Sequence, residues 1–348
     1  MESYIKKQLL TGNEIILKAA LAAGADAFFG YPITPTTEIL TGWAHEAAKN
    51  KDLIFLQTED EPSAGFGVLG AVLGGKRAWT ATAGLGHVLL QDPLLVAEAM
   101  RIPFVCYVGQ RGGPATGTVI YSQQELNLAR FGGNGEGLRI VLGPSNLQEL
   151  YDLTVKAFDM AWRYRLPVII LGDGYLSKMT GEVILKSAGK VCPAKPFVGN
   201  ENPVNMRNCY SLEHELAEVL TENIKDFGNI SKKVQEAEVI ECAGSDVVIF
   251  AWGSVGNAAE AAVKNLRVAG KKVGLFRPIT LRPFAAKDAK NAVKNVKKIL
   301  IVESSAGQFG RLVTESLFGI SGIKVKRLYK PAEGITAEEI EEKVGGML

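Results

Sequence analysis

Short apolar runs without polar alternation are separated along the chain by longer stretches in which apolar positions recur every three or four residues. Runs at 27–29, 53–56, 78–81, 104–108, 139–142 and 167–171 read as buried strands. Between them, 12–24, 36–49, 61–74, 85–99 and 146–163 have helical spacing. Strands that are apolar on both faces and alternate with helices predict a parallel sheet covered on both sides. Residues 146–149 read as a helix start, with Ser145 as N-cap and Gln148 at the third helical position.

The pattern fades between 186 and 240. Pro193, Pro196, Gly199, Asn200 and Pro203 read as an extended connection, followed by a charged helical stretch from Ser211 to Glu238. A second alternating series begins at Asp246, with strands at 247–251, 273–276, 299–302 and 323–328 and helices at 255–268, 285–295 and 307–317. The predicted fold class is α/β, with one unit over 1–185, a linker and helix over 186–240, and a second α/β unit over 241–348.

Composition narrows the function classes. Hydrophobic residues at 47% and charged residues at 22% describe a globular chain, and a net charge of +2 gives no reason to expect nucleic acid as partner. The longest apolar run, Leu89 to Ala99, is broken by Gln91, Asp92 and Glu98, so no membrane span is expected. The N-terminus, Met1-Glu-Ser-Tyr-Ile-Lys-Lys7, has no signal-type stretch, which predicts a cytoplasmic protein. Cys106, Cys192, Cys209 and Cys242 are scattered without a C-x-x-C, so no metal site of close cysteine spacing is expected. Cys106, within an apolar run, reads as a reduced core thiol. His45, His87 and His214 share no ligand spacing.

Four strand-to-helix connections carry the candidate chemistry. In Gly30-Tyr-Pro-Ile-Thr-Pro-Thr-Thr-Glu38, Pro32 and Pro35 stiffen a bend that presents Thr34, whose hydroxyl can donate to a carbonyl or carboxylate. Capping of the next helix by Thr34 or Thr36 is the structural alternative. In Gln57-Thr-Glu-Asp-Glu61, acids precede a helix rich in glycine and alanine. They can simply complement the helix dipole, or Glu61, beside small residues that admit another surface, can share a proton with a ligand. Thr80-Ala-Thr-Ala-Gly-Leu-Gly-His87 offers His87 either to a ligand or to a packed subunit boundary. Gln110-Arg-Gly-Gly-Pro-Ala-Thr-Gly117 opens a long loop that ends at Phe131-Gly-Gly-Asn-Gly-Glu-Gly137. There Arg111, next to glycines, suits a carboxylate or phosphate, or else an exposed turn. The turn Ala251-Trp-Gly-Ser-Val-Gly256 partly matches a dinucleotide fingerprint, which keeps nicotinamide binding as a further possibility.

Taken in order, Tyr31-Pro-Ile-Thr-Pro35, Glu59-Asp-Glu61, Arg111-Gly-Gly-Pro-Ala-Thr-Gly117 and Phe131-Gly-Gly-Asn-Gly-Glu136 resemble the alpha subunits of 2-oxoacid:ferredoxin oxidoreductases. The resemblance continues through Ala251-Trp-Gly-Ser-Val255, Phe276-Arg-Pro-Ile-Thr-Leu-Arg-Pro-Phe284 and Ile301-Val-Glu-Ser-Ser-Ala-Gly-Gln308, and so covers nearly the whole chain. It implies a pyrimidine-binding thiamine diphosphate domain followed by a transketolase C-terminal-like domain. It also implies oxidative decarboxylation of a 2-oxoacid, with CoA, to acyl-CoA and CO2, and electrons passed to ferredoxin. Glu61 matches the glutamate that shares a proton with N1′ of the aminopyrimidine. Thr34 would bond the substrate near its carbonyl, and Arg111 would hold its carboxylate. Tyr31, Pro32, Ile33 and His87 would lie on the cofactor side.

By the same resemblance, the cofactor is shared with a beta-type subunit. Mg2+ and 4Fe-4S clusters are expected on partner chains, and gamma- and delta-type subunits complete the complex. Gly172-Asp-Gly174 with Asn200 and Asn202 imitates the Mg2+–diphosphate motif but lacks its paired asparagines, so Asp173 reads as a strand-end residue and this chain as holding no metal. Departures from the family pattern fall toward the substrate. Asn134 stands where a histidine is common, Thr82 to His87 replaces a serine-rich turn, and Gln123 and Gln124 compete for one matching position. A non-oxidative thiamine diphosphate decarboxylase or transketolase-like half-enzyme, and a non-catalytic scaffold subunit, are the alternatives.

Overall fold

The computed structural model describes residues 7–199 and 204–348; Asn200, Asn202 and Pro203 of the expected connection lie outside them. The first sheet has seven strands. In spatial order they are Thr280–Arg282, Ile140–Leu142, Pro167–Asp173, Phe104–Gln110, Ala78–Thr82, Ala27–Gly30 and Ile54–Gln57. All neighbours are parallel except Thr280–Arg282, which runs antiparallel to Ile140–Leu142. Phe104–Gln110 and Pro167–Asp173 are buried along their entire length, as strands covered on both faces must be.

The helices fall close to the predicted positions, at Gly12–Ala22, Thr37–Lys49, Glu61–Leu73 and Leu147–Tyr164. The expected helix over 85–99 is instead two, Leu85–Leu89 and Gln91–Met100. Pro93 has no N–H with which to reach the Leu89 carbonyl, so one continuous ladder cannot form there. The long helix begins one residue later than predicted. Asn146, not Ser145, is its N-cap and accepts from the Glu149 amide at 2.9 Å. Ser145 Oγ instead accepts from Arg277 Nη1 at 2.7 Å.

The second sheet has the order Lys324–Tyr329, Lys298–Glu303, Val247–Phe250, Val273–Pro278 and Ala237–Ile240, the last antiparallel. The charged helix predicted over 211–238 is shorter, Glu213–Val234, because Ala237–Ile240 turns back to form this sheet edge.

The two sheets are tied together. Thr280–Arg282 leaves the second sheet to extend the first. Fully buried Arg277 reaches Glu149 at 2.6 Å and Glu238 at 2.6 Å. Gln123 Nε2 donates to the Trp252 carbonyl at 2.7 Å while its Oε1 accepts from the Ser304 amide at 2.9 Å. Cys106 is buried and unbridged, and burial raises its thiol pKa, as a core thiol requires. Among the described residues no helix is long and apolar enough to cross a membrane.

Candidate active site

The strand order explains why motifs far apart in sequence meet. Ile54–Gln57, Ala27–Gly30, Ala78–Thr82 and Phe104–Gln110 are consecutive neighbours, and all four run parallel. Their carboxyl ends lie side by side at the usual spacing of about 4.8 Å per strand. Onto that edge they deliver, in turn, Glu61, the Tyr31–Thr34 bend, the Ala83–His87 turn and Arg111. Carboxyl ends of parallel strands are where open α/β sheets bind ligands.

Glu61 opens the helix Glu61–Leu73, with Asp60 as N-cap accepting from the Ser63 amide at 2.8 Å. The three acids therefore divide. Asp60 caps, Glu59 is exposed, and Glu61 is buried. Burial raises the Glu61 carboxyl from its ordinary value; a bond from its own backbone amide opposes the rise, Asp60 adds to it and Arg111 opposes it. Its neighbour across the edge is Gly86. A Cβ there would lie 2.2 Å from Thr82 Oγ1 and 2.3 Å from Glu61 Oε1. The hydroxyl and the carboxylate thus converge in the space that the missing side chain leaves free.

Thr34 is exposed at the turn, and Thr36, the residue preceding helix Thr37–Lys49, makes no side-chain cap. The Thr36 hydroxyl donates to the Ile33 carbonyl at 3.0 Å instead. Neither threonine is a capping residue here, and the Thr34 hydroxyl is presented to solvent on a bend braced by buried Pro35. Tyr31 is exposed, and Pro32 and Ile33 are half-buried beside it.

Arg111 is buried rather than a surface arginine. Its Nη1 donates to the Thr34 carbonyl at 3.0 Å. Its stem crosses Gly84, where a Cβ would fall 2.5 Å from Nε. His87 is fully buried, and its Nδ1 lies 2.8 Å from Glu125 Oε2. Among the described residues, Thr82 Oγ1, His87 Nε2 and Arg111 Nε are buried without a hydrogen-bond partner. Three such atoms around one turn mark polar capacity that a ligand can complete. Glu125 had not been singled out from the sequence; its only signal is an acid closing the Ser122-Gln-Gln-Glu run.

The cleft beside Arg111 measures about 160 Å³ and is lined by Gly84, Leu85, Val88, Pro114 and Leu128 among others. Sites that enclose a small-molecule ligand typically measure roughly 300–1,000 Å³. Leu85 and Val88 of its lining are about half exposed, as is Leu89 in the same short helix. Larger clefts lie elsewhere. One of about 590 Å³ is lined by Lys290, Lys294 and Lys297 at the opposite end of the second sheet's strands, with no acid–base pair.

Two other sequence candidates are accounted for by internal bonds. In the Ala251–Gly256 turn, Trp252 is fully buried, its carbonyl is taken by Gln123, and the Ser254 hydroxyl donates to Asp173. A carboxylate at the start of helix Gly253–Val268 is the wrong charge for a dinucleotide phosphate. Asp173 ends its strand, as expected, and caps the short helix Gly174–Lys178 through the Leu176 amide at 2.8 Å.

Residues 18–269 match the family described as "Pyruvate flavodoxin/ferredoxin oxidoreductase, thiamine diP-bdg", and residues 245–341 match "Pyruvate:ferredoxin oxidoreductase core domain II". The chain is 32% identical to the 2-oxoglutarate synthase subunit KorA of Methanocaldococcus jannaschii, over 99% of this chain and 97% of that protein. It is 33% identical to the ketoisovalerate oxidoreductase subunit VorB of Methanothermobacter marburgensis, over 86% of this chain and 87% of that protein. Among solved structures, a 2-oxoglutarate:ferredoxin oxidoreductase from Magnetococcus marinus superposes with a TM-score of 0.87 at 26% identity. That alignment covers 98% of this chain and 65% of the other, which has 2-oxoglutarate, coenzyme A and succinyl-CoA bound. A split-gene transketolase, 16% identical with a TM-score of 0.60, shares the fold. The four converging strand ends, the buried glutamate and these matches together make the chain a member of the 2-oxoacid:ferredoxin oxidoreductase family, carrying its thiamine diphosphate-binding unit.

Proposed function

We propose that this chain is the alpha-type half of the active site in a hetero-oligomer that decarboxylates a 2-oxoacid oxidatively, forming acyl-CoA and CO2 and reducing ferredoxin. The observation that carries the reading is a buried carboxyl, Glu61, set at the same sheet edge as a buried Arg111 and the exposed Thr34 hydroxyl. The residues fit the aminopyrimidine end of thiamine diphosphate. That end needs one dry, proton-sharing carboxyl at a ring nitrogen, and Glu61 is raised toward its protonated form by burial. When bound, the cofactor supplies the electron sink on which a 2-oxoacid can lose CO2.

In this assignment Glu61 shares its proton with the pyrimidine N1′. Arg111 presents guanidinium nitrogens not held by Thr34 to the substrate carboxylate, and the Thr34 hydroxyl donates near the 2-oxo carbonyl. Tyr31, Pro32 and Ile33 wall the cofactor side, and His87 supports the turn beside it. The diphosphate and its Mg2+ fall to a beta-type partner, because the Asp173 carboxylate is already engaged by Leu176 and Ser254. The open cleft and apolar rim fit a site closed by that partner, with iron–sulfur clusters and ferredoxin docking on further chains. Relatives at similar identity are named as subunits of a 2-oxoglutarate synthase and of a ketoisovalerate oxidoreductase, and a panel of oxoacids in the assay below identifies the substrate.

The test is 2-oxoacid-dependent viologen reduction by the complex purified with its native partners, with CoA and thiamine diphosphate, comparing wild type with Glu61→Gln. An activity loss of about 10²–10⁴-fold with the complex still assembled is expected. Full activity in Glu61→Gln overturns the assignment of Glu61, and no turnover of any oxoacid by wild type overturns the function.

A further inference from the structure

Glu125 stands at the N-cap of the short helix Leu126–Phe131, yet its side chain makes no cap there. The carboxylate turns instead toward the sheet edge. Oε1 accepts the Gly84 amide and the Arg111 amide, each at 3.2 Å, and Oε2 lies 2.8 Å from His87 Nδ1. Its own amide donates to Gln110 Oε1 at 3.2 Å, and Gln110 Nε2 is anchored on the Gly172 carbonyl at 2.9 Å. Glu125 is buried, so these groups are its hydrogen-bonding environment.

We infer that Glu125 is a positioning residue for the reaction, bracketing the turn that carries Gly84 to His87 against the loop that carries Arg111. Backbone amides only donate, so Oε1 must accept both bonds. Oε2 faces His87 Nδ1, so the carboxylate takes a third bond when the imidazole carries a proton on Nδ1. The bracket matters for binding because Arg111 has little freedom once its amide is fixed. Its stem lies over Gly84, and its Nη1 is held by the Thr34 carbonyl. Loss of the bracket frees both the arginine loop and the glycine turn on which it rests. A change far smaller than unfolding is enough, since misplacement of a gripping group by about 1 Å can cost on the order of 10²-fold.

The inference rests on the proposed function, in which Arg111 holds the substrate carboxylate. Glu125→Gln tests it in the purified complex. The carboxamide keeps the side chain's size but offers only one accepting atom, so it cannot serve the two amides and Nδ1–H together. The expected result is a KM for the 2-oxoacid raised about tenfold or more, with the concentration of thiamine diphosphate needed for half-activity changed less than about threefold. Combined with Arg111→Lys, the two effects on kcat/KM should overlap rather than multiply, because one residue acts through the other. An unchanged KM, or fully multiplicative effects, overturns the inference. Should Glu125→Gln fail to assemble, His87→Leu, which has no polar atom to offer Oε2, withdraws a single bond from the bracket. It should raise KM about threefold, and no change there overturns the inference equally. Failure of the function itself reads out separately, as absence of oxoacid turnover by wild type.

Discussion

Arg111 donates from Nη1 to the Thr34 carbonyl at 3.0 Å, and that bond spans two strands that are not neighbours. Ala78–Thr82 lies between them, and the guanidinium passes over the turn that follows it. Only a residue without a side chain lets it pass. Gly84 sits at φ 55°, and a Cβ on it would come 2.5 Å from Arg111 Nε. In the proposed function, Gly84→Ala is therefore expected to displace the arginine. The KM for the 2-oxoacid should rise by about tenfold or more, and the left-handed backbone adds roughly 1–3 kcal/mol of destabilisation. Steady-state kinetics and thermal unfolding of the complex check both parts; an unaltered KM would show that Arg111 does not grip the substrate.

Two residues further on, the same kind of substitution should act on the other side of the reaction. A Cβ at Gly86 collides with Glu61 Oε1 and Thr82 Oγ1 at once. The carboxylate is the flexible end of that pair, so Glu61 gives way while the helix stays. Gly86→Ala is expected to lower kcat by about 10²-fold, with a smaller effect on the KM for the oxoacid. The contrast between Gly84→Ala and Gly86→Ala, read as a split between KM and kcat, checks the division of labour between Arg111 and Glu61.

The sheet's strands and most of its helices were legible because periodicity is a local signal. The four strand ends were legible as chemistry because each joins an unusual turn to a charged or hydroxyl side chain. What was not legible depends on contacts that no local window contains. Thr280–Arg282 is three residues long, and its partner strand, Ile140–Leu142, lies far back in the chain. Lys7–Thr11 and Thr180–Ile184 pair from opposite ends of the first unit and mix exposed with half-buried positions, so neither shows a long apolar run. Glu125 escaped for a related reason. Its partners His87 and Gly84 lie 38 and 41 residues away, and in sequence it is one acid after two glutamines. The division of Glu59, Asp60 and Glu61 into exposed, capping and buried roles likewise follows from where the helix starts, which a cluster of acids leaves open by a residue or two.

The apolar rim around the cleft makes a prediction about assembly. Val88 is 51% exposed, between Leu85 and Leu89, which are similarly open. A charge there costs the isolated chain little, about 0.5 kcal/mol or less, because water still reaches it. In the proposed function a beta-type partner covers this rim, and against it the same charge would be buried unpaired, at a cost of several kcal/mol. Val88→Glu is expected to leave the thermal unfolding of this chain unchanged while weakening its association with the partner by about 10²-fold or more. Analytical ultracentrifugation of the mixed subunits measures it, and undiminished association would place the partner on another face.

Asp173 provides a prediction about pH. It is buried beside Ser254, where the second sheet's first helix meets the first sheet, and burial pushes its carboxyl up to about 6. A carboxyl whose pKa is raised on folding binds its proton more tightly in the folded state than in the unfolded chain. Its contribution therefore favours folding at low pH and is lost as pH rises from about 4 to about 6. Above that window the ionised group costs up to about 3 kcal/mol relative to a group with no shift. Asp173→Asn keeps an oxygen to accept the Leu176 amide and cannot ionise. The difference in unfolding free energy, variant minus wild type, should rise between pH 4 and pH 6 and stay level to pH 8. Denaturant titrations across that range measure the difference directly. A flat difference would mean that Asp173 titrates as an ordinary carboxyl, with water reaching the junction between the two sheets.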